Sequence, residues 1–67
     1  MLKSDVLQLK SIVREYWEAA CAYEGISPGA RFVVFSKDNL YEAVYQQAMT
    51  AYLAAMQAYL AAHQAGA

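Results

Sequence analysis

The second half of the chain contains a seven-residue repeat, which constrains the fold more strongly than any other feature of the sequence. Residues 49–55 read MTAYLAA and residues 56–62 read MQAYLAA, so the two copies differ at one position. Two turns of an α-helix contain about 7.2 residues, and side chains seven residues apart therefore lie on one face of a helix. The repeat predicts a helix that packs against other helices along its length.

A longer apolar pattern around this repeat predicts the second helix of the chain, over about residues 37–64. Its first stripe is rich in tyrosine and alanine and comprises Tyr41, Tyr45, Ala48, Tyr52, Ala55, Tyr59 and Ala62. Its second stripe comprises Met49, Leu53, Met56, Leu60 and His63. At about 100° per residue the stripes lie roughly a quarter turn apart. One stripe can therefore pack within the chain, whereas the other needs a further neighbour, as in a four-helix bundle.

The first helix is predicted over about residues 2–24, because apolar side chains recur there at alternating spacings of four and three. These side chains are Leu2, Val6, Leu9, Val13, Tyr16, Ala20 and Tyr23. Ser4 is the expected N-cap, and Gly25 is expected to end the helix in the left-handed conformation. For the second helix, Ser36 and the pair Asn39 and Glu42 are alternative capping signals.

Residues 25–36 form the predicted connection between the helices. Ser27, Pro28 and Gly29 predict a type II turn, in which Gly29 takes a positive φ. Residues 31–35 read RFVVF, a run that is too short for a helix. This run predicts either a short strand, whose natural partner is the same segment of a second chain, or an apolar plug over the end of the hairpin.

Together these elements predict an all-α fold, in which an antiparallel two-helix hairpin with a short extended or β connection dimerises into a four-helix bundle. Residues 1–67 form one domain. The chain is 60% hydrophobic, and a lone hairpin has one seam in which to bury such side chains, so we expect self-association. The uncharged stretch 43–62 is interpreted as a buried helix rather than a membrane span, because it contains glutamines, tyrosines and many alanines.

The charge and the cysteine and histidine content argue against several classes of function. The formal net charge of −1 gives no general attraction to nucleic acid or to an anionic membrane. One cysteine and one histidine provide no metal-binding spacing, and the chain has neither a glycine-rich phosphate loop nor a catalytic constellation. We therefore expect no metal, no cofactor and no enzymatic activity. The single cysteine, Cys21, is expected to be a small packed hydrophobe, and it suits a cytoplasmic location.

A basic edge of the first helix is one candidate site. Lys3, Lys10 and Arg14 fall within a narrow arc beside Trp17, and such a set could clamp phosphates and stack an aromatic ring. The alternative interpretation is an ordinary solvated edge of a helix.

The end of the second helix is the other candidate site. The predicted second helix is longer than the first, so that residues 57–64 should extend beyond it as an apolar overhang. An exposed patch of this kind usually marks an interface. The residues expected to contact a second copy or a foreign partner are Met56, Tyr59, Leu60 and His63.

These features predict a small non-enzymatic, oligomeric protein–protein interaction module, which would act as an adaptor, an assembly subunit or a stoichiometric inhibitor of a larger complex. The alternative is a ligand-binding oligomer that holds a nucleotide or another aromatic anion between Tyr or Trp rings and the Lys/Arg edge. A helical dimer that binds structured RNA is the third hypothesis.

Overall fold

A computed structural model describes residues 2–65 of the chain, and it contains two helices and no strand in this range. Helix α1 spans Lys3–Glu24 and helix α2 spans Leu40–Ala65. The helices run antiparallel, because Trp17 of α1 contacts Tyr45 of α2 whereas Tyr23, six residues later in α1, faces Tyr41, four residues earlier in α2. The predicted all-α hairpin is thus confirmed. Within residues 2–65, neither helix is both long and apolar enough to cross a lipid bilayer.

The seam between the helices is formed largely by the residues that the periodicity selects. Val6, Val13 and Ala20 of α1 are buried, and so is Cys21, the predicted packed hydrophobe. On α2 the tyrosine–alanine stripe faces α1. Ala55 is buried, and Tyr45, Ala48, Tyr52 and Tyr59 are half-buried. The alanines allow the two backbones to approach closely, towards the short end of the range of about 8–10 Å between packed helices.

Helix α1 begins before the residue predicted to cap it. Leu2 is the N-cap, and its side chain makes no capping hydrogen bond. The backbone N–H groups of Asp5 and Val6 already donate to the Leu2 carbonyl, at 3.1 and 3.4 Å. Ser4 therefore lies inside the first turn, and its prediction as the N-cap is wrong. Asp5 lies in the first turn, where a negative charge suits the positive end of the helix dipole.

Helix α1 ends as predicted, at a glycine in the left-handed conformation. Gly25 has φ 72° and ψ 28°. Its N–H donates to the Ala22 carbonyl at 3.1 Å, and the N–H of Ile26 donates to the Cys21 carbonyl at 2.9 Å. This pair of bonds is the Schellman motif, which satisfies carbonyl groups that have no partner within the helix. A side chain at position 25 would strain the backbone at this φ.

The connection then makes a turn at Pro28, although not the type that the sequence predicts. The N–H of Ala30 donates to the Ser27 carbonyl at 3.0 Å, which closes the turn. Gly29 does not have a positive φ, so the predicted type II geometry is wrong. The Gly29 N–H instead points to the Ser27 hydroxyl oxygen at 3.4 Å. Serine hydroxyls commonly make weak local hydrogen bonds of this kind to the backbone of a turn.

The run RFVVF pairs with no strand of the described chain, but its side chains alternate between the hairpin and the solvent. Val33 and Phe35 are half-buried, and the Phe35 ring meets the Trp17 ring edge to face at 5.5 Å. Phe32 and Val34 are more than four-fifths exposed. Val33 and Phe35 therefore form the apolar plug, and Phe32 and Val34 do not take part in it. Pairing with a second chain stays a prediction.

Helix α2 begins at Leu40, three residues later than predicted, because Asn39 caps it and Ser36 does not. The Asn39 side-chain oxygen accepts the N–H of Glu42 at 3.3 Å, so the second of the two capping signals is the one used. The Ser36 hydroxyl donates instead to Glu24 at 3.0 Å. Residues 36–39 form a turn before the helix, with the Asn39 N–H bonded to the Ser36 carbonyl at 3.1 Å.

A polar cluster of Glu24, Ser36 and Asn39 ties the end of α1 to the start of α2. One carboxylate oxygen of Glu24 accepts the Ser36 N–H at 2.7 Å and the Asn39 amide at 3.0 Å. The same amide donates to the Ala20 carbonyl inside α1 at 2.9 Å. Asn39 is only 3% exposed. A buried amide whose groups all have partners fixes the position of α2 against α1.

This cluster lowers the pKa of Glu24. The hydrogen bond from the Ser36 backbone N–H contributes most, the Asn39 amide follows, and partial loss of water contact opposes both. Because the pKa of this carboxyl is lower in the folded chain than in the unfolded chain, its contribution to stability is complete above the ordinary value of about 4.5. The contribution is lost as the pH falls through the folded pKa.

We therefore expect Glu24→Gln to be less stable than the parent at neutral pH and to lose less stability between about pH 5 and pH 3. Urea unfolding followed by circular dichroism across this range measures the two slopes. Glu15→Gln is the matched control, since Glu15 is an exposed carboxylate of the same helix, and it should keep the parental slope. Parallel curves for the parent and Glu24→Gln would show that the cluster does not stabilise the charged carboxylate.

Candidate interaction surfaces

The seam leaves two opposite sides of the hairpin open, and each side has a groove between the helices. The first, named the basic groove, has a volume of about 700 Å³. It is lined by Leu7, Lys10, Ser11, Val13, Arg14 and Trp17 of α1 and by Tyr45, Met49 and Tyr52 of α2. The second, named the tyrosine face, contains a groove of about 470 Å³. It is lined by Tyr16, Tyr23, Asp38, Leu40, Tyr41 and Val44.

The basic groove contains three of the four residues predicted as a ligand site. Lys10, Arg14 and Trp17 line it together, whereas Lys3 does not reach it and lies two turns before Lys10 on the same side of α1. The groove also contains Met49. Met49 is the first residue of the second stripe of α2 (Met49, Leu53, Met56, Leu60 and His63), named here the methionine–leucine stripe. The tertiary structure thus places the basic edge of α1 and the second apolar stripe of α2 on the same side of the hairpin.

Trp17 is held by the fold rather than left free for a ligand. Its indole N–H donates to the Pro28 carbonyl at 3.0 Å. Its ring contacts Tyr45, with centroids 5.1 Å apart, and Phe35 on the connection. A flat ligand that stacked on this ring would have to compete with these contacts. Trp17 lines the groove, but its contacts in the fold are those of a packing residue.

The two cations of the basic groove differ in their surroundings. Arg14 lies 3.5 Å from the Glu18 carboxylate, one turn later in α1, and both side chains are more than half exposed. Exposed pairs of this kind contribute little to stability and exchange partners easily. Within residues 2–65, Lys10 makes no salt bridge. The α1 rim of the groove therefore presents positive charge that the hairpin does not neutralise internally.

The tyrosine face is apolar and nearly uncharged. The rings of Tyr23 and Tyr41 lie 6.5 Å apart, tilted by 60°. Leu40 is 76% exposed and Val44 is 38% exposed. Ile12, one turn before Tyr16, and Ala51, two turns after Val44, continue this face along the hairpin. Asp38, at one end, is the charged residue among those that line the groove.

The structure divides the four partner-binding residues that the sequence predicts at the end of α2. Met56 and Tyr59 are half-buried, while Leu60 and His63 are exposed. The Tyr59 ring packs on the His63 ring one turn later, with centroids 4.1 Å apart. Tyr59 and Met56 thus belong mainly to the hairpin, and Leu60 and His63 remain available to a partner.

The predicted overhang of residues 57–64 is too long. The helices contain 22 and 26 residues, a difference of about 6 Å at 1.5 Å per residue. Trp17 contacts Tyr45, and each step towards the start of α1 is matched by a step towards the end of α2. Lys3 therefore lies level with about Tyr59, and the overhang begins at about Leu60. The error arises from the start of α2, which was predicted three residues too early.

No group of residues in the described part of the chain is arranged for metal chemistry. Among residues 2–65, no three His, Cys, Asp or Glu side chains lie close enough together to hold a metal ion. What the structure offers is surface, in the form of two grooves of different chemical character. No protein-family model matches the chain, and neither a curated protein nor a solved structure gives a significant match.

Proposed function

We propose that the protein is a small non-enzymatic interaction module that acts as a homodimer, in which two hairpins pack through their tyrosine faces into a four-helix bundle. The proposed role is to bind the surface of another protein. An adaptor, an assembly subunit and a stoichiometric inhibitor of a larger complex all act in this way. The buried, unpaired Cys21 agrees with a cytoplasmic location, which forms part of the proposal.

The observation that carries the proposal is the amount of surface that the single hairpin leaves exposed. Its accessible area is 5093 Å², whereas a compact monomeric protein of 7.4 kDa exposes about 4,200 Å². The radius of gyration is 14.3 Å, against about 11 Å for a compact chain of this length. The excess area, about 900 Å², is close to the roughly 800 Å² that each partner buries in a protein–protein interface of standard size.

The tyrosine face is the side that suits a second copy. Interfaces between identical subunits are rich in aromatic and aliphatic side chains and poor in charge at their centre. Tyr23, Leu40, Tyr41 and Val44 meet this description. A second copy on the basic groove would instead bring two sets of cations into one interface, which disfavours pairing there.

Sedimentation equilibrium at micromolar concentration tests this proposal. We expect the parent to have twice the mass of one chain and Val44→Glu to have the mass of one chain, because two carboxylates would be buried in the interface. Leu53→Glu is the matched control, since Leu53 is 43% exposed on the other side of α2 and Val44 is 38% exposed. It should remain dimeric.

Circular dichroism of each variant checks that the helices persist, and Leu40→Glu provides a second disruption at a position that packs little within the hairpin. A parent that sediments as a single chain throughout the micromolar range would overturn the proposal. A dimer that survives Val44→Glu and Leu40→Glu but dissociates with Leu53→Glu would move the interface to the basic groove.

A further inference from the structure

We infer that the basic groove binds one acidic amphipathic helix of a partner protein, which lies between α1 and α2 as the third helix of a bundle. The proposed dimer uses the opposite side of the hairpin, so this inference adds a second binding surface and does not depend on the dimer. The occupant is defined by its chemistry: an apolar stripe that enters the groove, and carboxylates along the flank that faces α1.

The walls and floor of the groove are suited to the apolar stripe of a helix. Val13, which is 8% exposed, forms the floor. Leu7 and Met49 contribute to opposite walls, and Leu53 continues the α2 wall one turn after Met49. Both walls are themselves helices, and a third helix seated between them can place side chains at i, i+3, i+4 and i+7 into the groove. Leu7 and Leu53 are 50% and 43% exposed and so present apolar surface that such a stripe can cover.

The charges around the groove select an acidic partner. Lys3, Lys10 and Arg14 follow one edge of α1 at spacings of seven and four residues, a length of about 16 Å. The α2 wall carries no formal charge at Tyr45, Met49 or Tyr52. Carboxylates spaced by one and two turns along a partner helix would match the α1 edge. The weak Arg14–Glu18 pair can be exchanged for a partner carboxylate at little cost.

A small aromatic anion fits the groove less well than a helix does. The Trp17 ring is already in contact with Tyr45 and Phe35, and its N–H is bonded to Pro28. The groove is an open channel along the helix axes, whereas small-molecule sites usually enclose most of their ligand. A helix uses this shape without displacing any contact of Trp17.

Trp17 provides a direct readout, because it is the sole tryptophan of the chain and lines the groove. The probe is a synthetic helical peptide of about 20 residues without tryptophan, with leucines at i, i+3, i+4 and i+7 and glutamates along one flank. We expect a saturable change in Trp17 emission at micromolar peptide, weakened by added salt. The same peptide with lysines in place of glutamates should bind at least tenfold more weakly.

Charge reversal in the groove tests the assignment of the site. Lys10→Glu/Arg14→Glu should invert the preference, so that the lysine peptide binds at least tenfold more tightly than the glutamate peptide. Arg31→Glu/Lys37→Glu changes the net charge equally but lies on the exposed connection, and it should keep the parental preference. Val44→Glu, which is designed to break the dimer, should bind the acidic peptide as the parent does, so that failure of one proposal is distinguishable from failure of the other.

Equal binding of the two peptides to the parent, or an unchanged preference in Lys10→Glu/Arg14→Glu, would overturn the inference. Inversion by the control pair as well would show attraction by net charge alone, with no role for the groove. Saturable quenching by adenosine triphosphate, with no response to either peptide, would reassign the groove to a small anion and equally reject the helix.

Discussion

Asn39→Asp is expected to remove most of the protein's stability at neutral pH, although aspartate is as good a helix cap as asparagine. The amide of Asn39 donates to the Ala20 carbonyl and to the Glu24 carboxylate in a site that is 3% exposed. Aspartate cannot donate these bonds, and the lost bond to the charged Glu24 carboxylate is of a kind that contributes about 1.5–3 kcal/mol. Aspartate also places a second carboxylate beside Glu24, and the like charges repel each other.

The expected loss of about 3 kcal/mol is large in relation to the roughly 3–5 kcal/mol that a core of this size supplies. Urea unfolding followed by circular dichroism at 222 nm, at one fixed protein concentration, measures the loss. Gln57→Glu is the matched control. It makes the same change from amide to acid at an exposed position of α2, away from both grooves, and should stay within about 0.5 kcal/mol of the parent. An Asn39→Asp variant as stable as Gln57→Glu would mean that the amide does not hold the helices together.

Trp17→Ala should have the second large effect, a loss of about 3 kcal/mol, near the lower end of the range for removal of a large aromatic side chain because Trp17 is only half-buried. The substitution removes the ring contacts to Tyr45 and Phe35 and the hydrogen bond to Pro28. Since two of these three contacts anchor the connection, the connection should also become a faster target for limited proteolysis. The lower stability and the faster cleavage should both be measurable under conditions in which the parent remains folded.

Trp17→Phe separates the two contributions of the indole. Phenylalanine keeps an aromatic ring against Tyr45 but cannot donate to the Pro28 carbonyl, so its loss should be about 1 kcal/mol. Urea unfolding of the three proteins gives the ranking. If Trp17→Ala unfolds at the same urea concentration as the parent, the indole is a free surface group, and the ligand-binding hypothesis for this residue would regain its basis.

The helical elements of the fold could be predicted from the sequence because their signals are local. The spacing of Val6, Val13 and Ala20 selects the buried face of α1, and Gly25 is the one residue type that enters the left-handed region without strain. Each of the two local errors at helix starts involves a serine that can cap a helix but does not do so here. Ser4 lies inside a helix that has already begun, and Ser36 is bound by Glu24.

The candidate surfaces could be predicted only in part, because they combine residues from both helices. The cations of α1 and the methionine–leucine stripe of α2 are each visible as periodic patterns. That Lys10 and Met49 line one groove depends on the rotation of each helix about its own axis. Periodicity identifies the apolar face of one helix. It does not show which edge of that face lies beside which edge of the neighbouring helix.

The sequence by itself determined the two helices, the two apolar stripes of α2, and the surplus of apolar side chains that a single hairpin cannot bury. These properties follow from spacing and composition along the chain. Only the tertiary structure decided that Asn39 bridges the two helices, that Trp17 anchors the connection, and that one side of the hairpin is basic while the other is nearly uncharged. The physical reason is that such contacts join residues 11 to 28 positions apart. They form only after the helices have docked in one register and one rotation.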